Sequence, residues 1–309
     1  MTALLSEVKG VCPVLSAAFD DDGSVDSASF TRMCEHVMGT GVGSLMVFGV
    51  ATENAKLSDD ERTEMLQLLV QARGTRNISL VATVADHGTD LAVARARKWV
   101  DMGADSINIL PSYFLRPAPS EVIDHLSAIL QSVTVPVIIQ SLPAGGEEIP
   151  LSDVLSLHHS YPHLQQVKVE NIPASALVAE VAGFSGGSVS ALVGWGGLEW
   201  KKAVAAGAVG VQPGCSLTEL YLKAQACLDS KDMGGFDTAF APLQGPLNTW
   251  MRHPEVLIAI EKHILMRRGI ISSSRTRKPS APLTNEDFEL AEVLIELVGA
   301  GKEFLRSST

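Results

Sequence analysis

The sequence predicts an α/β fold, namely a (β/α)8 TIM barrel with a C-terminal helical extension. Three segments along the chain share one pattern, in which a glycine ends a helix and a short step leads into an apolar strand. These glycines are Gly41, Gly103 and Gly207. Glycine permits the left-handed backbone that ends a helix before the chain turns into a strand. The spacings between the three fit two and three βα units of roughly 30–35 residues each, which indicates a repeating βα architecture.

Eight apolar segments account for the strands of this barrel. Most are nearly continuous apolar runs, as is typical of parallel strands whose two faces are both covered. Eight strands that alternate with helices favour a barrel over an open sheet. The predicted strands are Val11–Leu15, Gly43–Phe48, Ser79–Thr83, Ser106–Leu110, Val135–Gln140, Leu164–Val169, Ser188–Leu192 and Val209–Gln212.

The helical patterns between and after the strands are amphipathic. Ser58 and Glu61 have the spacing of a capping box, which predicts the start of a helix. Helical patterns at Pro254–Arg268 and Asn285–Val298 lie beyond the last strand. We therefore predict a barrel over residues 1–233 and a helical extension packed on it over residues 234–309. The apolar faces of two barrel helices are predicted to hold Met65, Leu68, Leu69 and Ala72 in the first and Ala92, Ala96, Trp99 and Val100 in the second.

The composition indicates a large core and an acidic surface. Hydrophobic residues make up 46% of the 309 residues, charged residues make up 19%, and the net charge is −11. Because phosphate binding needs clustered lysines and arginines, this charge argues against a nucleic-acid partner. The chain has no run of about 18 apolar residues, and its N-terminus lacks a basic region followed by an apolar run. We therefore expect no membrane span and no secretory leader.

The four cysteines, Cys12, Cys34, Cys215 and Cys227, are scattered along the chain. They form no Cys-x-x-Cys pair and no paired cysteine and histidine spacing, so the sequence predicts no metal site. Scattered single cysteines are typical of reduced thiols, and we therefore expect a cytoplasmic protein.

Lys168 stands alone in the predicted sixth strand, whose sequence is LQQVKV. Lysine is rarely fully buried unless it is paired or functional. In apolar surroundings desolvation disfavours the ammonium form, and the neutral amine is the form that attacks a carbonyl. The alternative is an edge-strand lysine whose ammonium group reaches water. The local pattern does not decide between the two, but a strand inside a barrel favours a nucleophile.

Catalytic groups of such barrels lie at the C-terminal ends of the strands. Strand alternation places Lys168 and Glu170 on the same side of the sixth strand. Glu170 is either a general acid/base or a structural carboxylate, in an ion pair or at a helix N-terminus. Glycine-rich turns after the predicted second, seventh and eighth strands let backbone N–H groups approach an anionic substrate.

The chain resembles the dihydrodipicolinate synthase/N-acetylneuraminate lyase family of class I aldolases over nearly its whole length. The resemblance rests on Lys168, the Gly-x-x-x-Glu loop at residues 49–53, the turn at residues 113–117 and the late segment at residues 268–271. It implies that Lys168 forms a Schiff base with the keto group of pyruvate or of a longer 2-oxo acid, without a further cofactor. It also implies an assembly of identical subunits, either a homotetramer or a homodimer.

The same resemblance implies which residues bind the substrate. The backbone amides of Ala51 and Thr52 would hold the carboxylate of the 2-oxo acid, and the backbone of Gln212 would line the same pocket. Gly49 and Tyr113 are the other residues implied to bind substrate.

Four positions depart from the pattern of that family. Gln140 replaces its tyrosine acid/base, Val50 replaces its relay threonine, and Phe114 replaces its relay tyrosine from the neighbouring subunit. Gly145 stands where the synthase has the arginine that binds its second substrate. Because an amide cannot titrate near neutral pH, we expect no true dihydrodipicolinate synthase activity. Glu170 would then move protons, and Gln140 would orient a water or a substrate hydroxyl.

Three functions remain open from the sequence. The first is a lyase of the aldolase type, with Lys168 as electron sink and Glu170 as general acid/base. The second is a dehydratase or deaminase of a 2-keto-3-deoxy sugar acid, which uses the same imine but cleaves a C–O or C–N bond. The third is a keto-acid-binding protein without catalysis. The lysine disfavours the third function, because a binding protein does not need an amine there.

Overall fold

The computed structural model describes residues 7–111, 116–141 and 150–306, and within them eight strands form one sheet. The strands are β1 (Gly10–Val11), β2 (Ser44–Val47), β3 (Ser79–Val84), β4 (Ser106–Ile109), β5 (Val137–Ser141), β6 (Leu164–Val169), β7 (Ser190–Val193) and β8 (Gly210–Val211). Their order in the sheet is β1-β8-β7-β6-β5-β4-β3-β2, and every neighbouring pair is parallel. The last strand therefore lies beside the first, which confirms the predicted (β/α)8 barrel.

Helices alternate with these strands along the chain and continue after the last one. They are α1 (Ser27–Gly39), α2 (Asp59–Arg73), α3 (Thr89–Asp101), α4 (Pro119–Ser132), α5 (Leu151–Ser160), α6 (Ala174–Ser185), α7 (Trp200–Ala205), α8 (Thr218–Asp229), α9 (Met233–Trp250), α10 (Pro254–Arg267) and α11 (Asn285–Arg306). The chain divides into two compact units. One unit holds all eight strands with α3 to α7, and the other holds α1, α2 and α8 to α11. The C-terminal helical extension is confirmed, whereas its predicted boundary between residues 233 and 234 stays a prediction.

The first and last strands are shorter than the predicted Val11–Leu15 and Val209–Gln212. Each ladder ends two residues before a proline, Pro13 after β1 and Pro213 after β8. Proline has no N–H group and cannot donate to a sheet ladder. The continuous ladder therefore ends here, and pairing resumes beyond the prolines as an isolated parallel bridge between Val14 and Gly214.

The helix faces largely follow the predicted pattern. The Ser58 side chain accepts from the Glu61 amide and the Glu61 carboxylate accepts from the Ser58 amide, so the capping box is present at the start of α2. On that helix Leu66 is buried in place of Leu68, which is half-buried. The residues buried as predicted are Met65, Leu69, Ala72, Ala92, Ala96 and Trp99.

Helix α9 was not predicted from the sequence. It contains Pro242 and Pro246, which remove two backbone donors and normally indicate the end of a helix. The helix nevertheless continues because it buries a row of large apolar side chains, and tertiary packing supplies most of the stability of a helix. Two of these, Phe236 and Phe240, stack with ring centroids 5.4 Å apart.

The pairing of β1 with β8 requires a glycine at position 210. A Cβ atom there would lie 2.5 Å from the carbonyl oxygen and 2.9 Å from the amide nitrogen of Gly10. We expect Gly210→Ala to lower the free energy of unfolding by about 1–3 kcal/mol, the usual cost of overpacking, in a urea titration. Gly43→Ala is the control, because no described atom lies within 4 Å of a Cβ at that position. Equal stability of the two variants would contradict this close pairing.

Candidate active site

Lys168 lies on β6, in the middle of the sheet. Its Cα pairs with that of Gln140 on β5 and with that of Leu192 on β7. Only 6% of the residue is exposed. A lysine on an edge strand that reaches water, the alternative left open by the sequence, is therefore wrong.

The Lys168 ammonium is paired with a carboxylate of the same strand. Its Nζ lies 2.9 Å from Oε1 of Glu170, which is also buried. The two side chains thus share one side of the strand, as alternation predicted. A carboxylate at this distance can take a proton from the ammonium group and leave the neutral amine. The pair therefore places an amine beside a carboxylate that can exchange a proton with it.

Gln140 connects this pair to two polar residues that sequence reasoning missed. Its Nε2 donates to Oε1 of Glu170 at 3.2 Å, and its Oε1 accepts from Nδ2 of Asn108 at 3.2 Å. Asn108 Nδ2 also donates to Oγ1 of Thr83 at 3.3 Å. Because Gln140 already uses its oxygen and one N–H within the protein, little of its amide remains to orient a water or a substrate hydroxyl. The sequence pattern that could have indicated them is a polar side chain in a mainly apolar strand, as at Thr83 and Asn108.

The turn after β7 holds Glu170 in place. A Cβ atom on Gly194 would overlap the Glu170 carboxylate, so only glycine leaves space for that group. The Trp195 indole N–H donates to the main-chain carbonyl of Glu170. Trp195 has a φ of 49°, a left-handed conformation that is uncommon outside glycine. This glycine-rich turn therefore leaves room for the Glu170 carboxylate and hydrogen-bonds the Glu170 main chain.

Gln212 lies in the same unit as Lys168 and is 3% exposed. Its Nε2 donates to Sγ of Cys12 at 3.7 Å, and its Oε1 has no hydrogen-bond partner in the part of the chain that the structure describes. Burial raises the pKa of the Cys12 thiol, although Ser44, Gln212 and Lys168 oppose that shift. The Cys12 thiol is therefore protonated, and we assign it no nucleophilic role.

The loop after β2 belongs to the other unit. Residues 50–52 form a single 3-10 turn, in which the Thr52 amide donates to the Gly49 carbonyl at 3.1 Å. The Thr52 hydroxyl donates to the carbonyl of Leu15 at 2.6 Å. A bound carboxylate would have to share the Thr52 amide with Gly49, whereas the Ala51 amide has no partner among the described residues. The roles predicted for Gly49, Ala51 and Thr52 stay predictions.

A second buried lysine, Lys262 on α10, lies in the same unit as this loop and is completely buried. Its ammonium group donates to the Glu53 carboxylate and, at 2.6 Å, to the Arg275 carbonyl. It also lies 4.0 Å from the centroid of the Phe19 ring. Burial lowers the pKa of Lys262 to about 8, against the opposing influence of Glu53. These partners hold the ammonium form in place, which indicates a structural role.

The other predicted features have separate outcomes. Lys201 and Lys202, two other lysines of the barrel, are exposed on α7. Tyr113, a predicted substrate-binding residue, lies outside the described residues. In the described ranges no group of three or more histidine, cysteine, aspartate and glutamate side chains could hold a metal ion. No helix of these ranges is long and apolar enough to cross a membrane.

Sequence comparison gives one family and two kinds of relative. Residues 7–297 match the model of the dihydrodipicolinate synthetase family. A 4-hydroxy-tetrahydrodipicolinate synthase of Salinibacter ruber is 27% identical over 162 residues, which cover 52% of this chain and 53% of the synthase. An L-2-keto-3-deoxyarabonate dehydratase of Azospirillum brasilense is 23% identical over 284 residues, which cover 89% of each chain. The match therefore spans about half of the synthase but most of the dehydratase.

Structural comparison finds the same fold in a sialic acid aldolase of Ruminococcus gnavus. The TM-score is 0.86 at 20% identity, and the match covers 96% of this chain and 99% of the aldolase. A structure of the same aldolase, described as its catalytic lysine mutant, gives a TM-score of 0.85 at 20% identity over 96% of this chain and 97% of the mutant. At this identity the likeness shows the fold.

Lys262→Met tests the structural role of the second lysine. The substitution leaves the Glu53 carboxylate buried without its closest cation, and breaking a buried ion pair costs about 3–5 kcal/mol. We expect that loss in the free energy of unfolding, measured by urea denaturation. Lys202→Met is the control, because its ion pair with Glu199 is 73% exposed on the lysine side and should contribute less than about 1 kcal/mol. Equal losses would show that burial of Lys262 is not stabilised by its partners.

Proposed function

The chain belongs to the dihydrodipicolinate synthetase family, and we propose that it is a lyase whose Lys168 forms an imine with a 2-oxo acid. The substrate is pyruvate or a longer 2-oxo acid. The observation that carries this proposal is the buried Lys168 with the Glu170 carboxylate at 2.9 Å. The catalytic lysine named for the sialic acid aldolase supports a lysine as the reacting group on this fold.

The pair can perform the opening steps of such a reaction. Glu170 accepts a proton from the Lys168 ammonium, and the free amine adds to C2 of the 2-oxo acid. Glu170 returns its proton to the hydroxyl of the adduct, which leaves as water while the C=N bond forms, and Glu170 is again a carboxylate. The protonated imine then withdraws electrons from C3, so that a bond to C3 can break with its electron pair moving into an enamine. Glu170 is the carboxylate that can take the proton released in this step.

The favoured reaction is cleavage of the C3–C4 bond, as in an aldolase. The electron pair of that bond forms the enamine while the C4 hydroxyl loses its proton and becomes a carbonyl. Protonation at C3 and hydrolysis of the imine then release pyruvate and the aldehyde. This sequence needs no oxidant and no second substrate.

Dehydration is the second candidate, supported by the relative whose match covers most of this chain. That relative is named an L-2-keto-3-deoxyarabonate dehydratase. Here Glu170 would remove a C3 proton, and the enamine would expel the C4 hydroxyl as water. Product analysis with a 2-keto-3-deoxy sugar acid separates the two reactions, because cleavage yields pyruvate and an aldehyde whereas dehydration keeps the carbon chain intact.

Other expectations stay proposals at this point. We propose that the chain lacks true dihydrodipicolinate synthase activity, because Gln140 cannot titrate in place of a tyrosine. A binding protein without catalysis is disfavoured, because binding of a keto acid does not require an amine at this position. Substrate contacts by Tyr113 and Gln212, subunit assembly and a cytoplasmic location remain predictions.

Borohydride trapping tests the nucleophile. Incubation with pyruvate or another 2-oxo acid, followed by borohydride, should attach one reduced adduct, found by intact mass and placed on Lys168 by peptide mapping. Lys168→Ala should remove the adduct. Lys202→Met should keep it, because Lys202 is an exposed residue whose ion pair is with Glu199 on the surface. An adduct that persists in Lys168→Ala would assign the chemistry to another lysine. If the parent protein gives no adduct with any 2-oxo acid, the imine proposal is wrong and the binding-protein hypothesis is favoured.

The role of Glu170 is tested by separating imine formation from proton transfer. A base beside the imine should exchange the C3 protons of pyruvate for deuterium, which proton NMR follows in D2O. Glu170→Gln should still give the borohydride adduct at the endpoint of the incubation, because water can also remove the Lys168 proton. The exchange rate should fall by about 10²–10⁴-fold, the usual contribution of a positioned acid/base. Full exchange in this variant would make Glu170 a structural carboxylate.

A further inference from the structure

Four side chains on neighbouring strands form a directed chain of hydrogen bonds that ends at Glu170. Asn108 Nδ2 on β4 donates to Thr83 Oγ1 on β3 and to Gln140 Oε1 on β5. Gln140 Nε2 in turn donates to Glu170 Oε1. Thr83, Asn108 and Gln140 are all buried, with Asn108 completely so. Water therefore cannot replace a missing partner without entering the core.

The chain has a direction because each amide has a donor end and an acceptor end. The Asn108 NH2 group donates to Thr83 and to the Gln140 oxygen. The Gln140 oxygen is therefore occupied, and the Gln140 NH2 group faces Glu170. If Gln140 were turned over, its oxygen would face the Glu170 carboxylate, and two acceptors would oppose each other. Buried polar groups left in this way cost about 1–3 kcal/mol.

An ammonium group and an amide N–H contact the same oxygen of Glu170. Lys168 Nζ and Gln140 Nε2 both contact Oε1, at 2.9 Å and 3.2 Å. Oε2 has no hydrogen-bond partner in the described part of the chain. Donors on a single oxygen fix the rotation of a carboxylate and leave the other oxygen to accept a proton.

We propose that Asn108, oriented by Thr83, is a positioning residue that fixes the Gln140 amide with its N–H toward Glu170, so that Oε2 of Glu170 is the atom that receives the substrate proton. This inference rests on the proposed imine chemistry. In that step Oε2 takes the proton from C3 of the imine, the C–H electron pair forms the C2=C3 bond, and the C=N pair moves to Lys168 Nζ. Asn108 touches neither substrate nor Lys168 in this account, and it acts only through Gln140.

Two variants of Asn108 test the direction of the chain. Asn108→Leu keeps the approximate size but removes the donor to Gln140, so borohydride trapping with pyruvate should persist while C3 exchange falls by about 3- to 10-fold. Asn108→Asp offers Gln140 only acceptors and should turn its amide over, so exchange should fall at least as far. If trapping identifies another 2-oxo acid as the better partner, that acid replaces pyruvate in both assays.

Thr83 provides the conservative comparison. Thr83→Ser keeps the hydroxyl that accepts from Asn108 and should keep exchange within about twofold of the parent protein. Thr83→Val keeps the shape without the acceptor and should lower exchange by about 2- to 5-fold with trapping unchanged. A purely structural role for Thr83 would not separate exchange from trapping in this way.

Gln166→Leu is the control for loss of a buried amide on the same sheet. Gln166 lies on β6 two residues before Lys168, and its side chain bonds the main chain of Val8 at 2.9 Å in both directions. It takes no part in the chain to Glu170, so Gln166→Leu should lower stability but leave exchange unchanged.

The outcomes separate this proposal from the function on which it rests. Without trapping or exchange in the parent protein, the proposed function fails and the positioning role fails with it. Parent trapping together with undiminished exchange in folded Asn108→Leu overturns only the positioning role. Equal losses of trapping and exchange in Asn108→Leu overturn it too, because Asn108 would then support imine formation rather than the proton step.

Discussion

The ion pair between Lys168 and Glu170 places two opposite charges inside a barrel of apolar strands. Removing a charge from water costs several kcal/mol, and mutual attraction offsets that cost only when further hydrogen bonds are made. The neighbouring residues supply them. Gln140 donates to the carboxylate, Trp195 donates to the Glu170 carbonyl, and Gly194 leaves the space in which the carboxylate lies. The ends of β5, β6 and β7 therefore each contribute a contact that stabilises this ion pair.

The barrel interior carries this polar arrangement without giving up its packing. Thr83, Asn108, Gln140 and Lys168 are buried polar residues in strands whose other residues are mostly apolar. Neighbouring parallel strands bring such positions within hydrogen-bond distance of one another. Hydrogen bonds between buried side chains restrain the orientation of those side chains. Asn108 Oδ1 has no partner in the described part of the chain, so the restraint acts through its NH2 group. The same core can therefore stabilise the fold and orient a reacting group.

Two buried lysines in one chain differ in the groups that surround their ammonium groups. The Lys262 ammonium is surrounded by a carboxylate, a carbonyl oxygen and an aromatic face, all of which favour the charged form. Lys168 has the Glu170 carboxylate as its ionic partner, and that carboxylate can accept a proton. The difference lies in the partners, since both residues are removed from water.

The sequence alone determined the barrel and the placement of its central pair. The patterns that predicted the barrel are local: glycines after helices, apolar runs and the capping box. Each depends only on residues that are close together along the chain. Lys168 and Glu170 are two residues apart, so strand alternation was enough to place them together. Such patterns could not predict the lengths of β1 and β8, nor the helix that continues through Pro242 and Pro246.

Tertiary structure decided which distant residues meet. Thr83, Asn108 and Gln140 are 25 and 32 residues apart along the chain, and Lys262 is 209 residues from Glu53. No local periodicity records such distances, because they depend on the register of neighbouring strands and on the packing of helices. The sequence determined that a lysine and a glutamate would share one strand face, and only the assembled barrel decided which amide would hold the glutamate and in which direction.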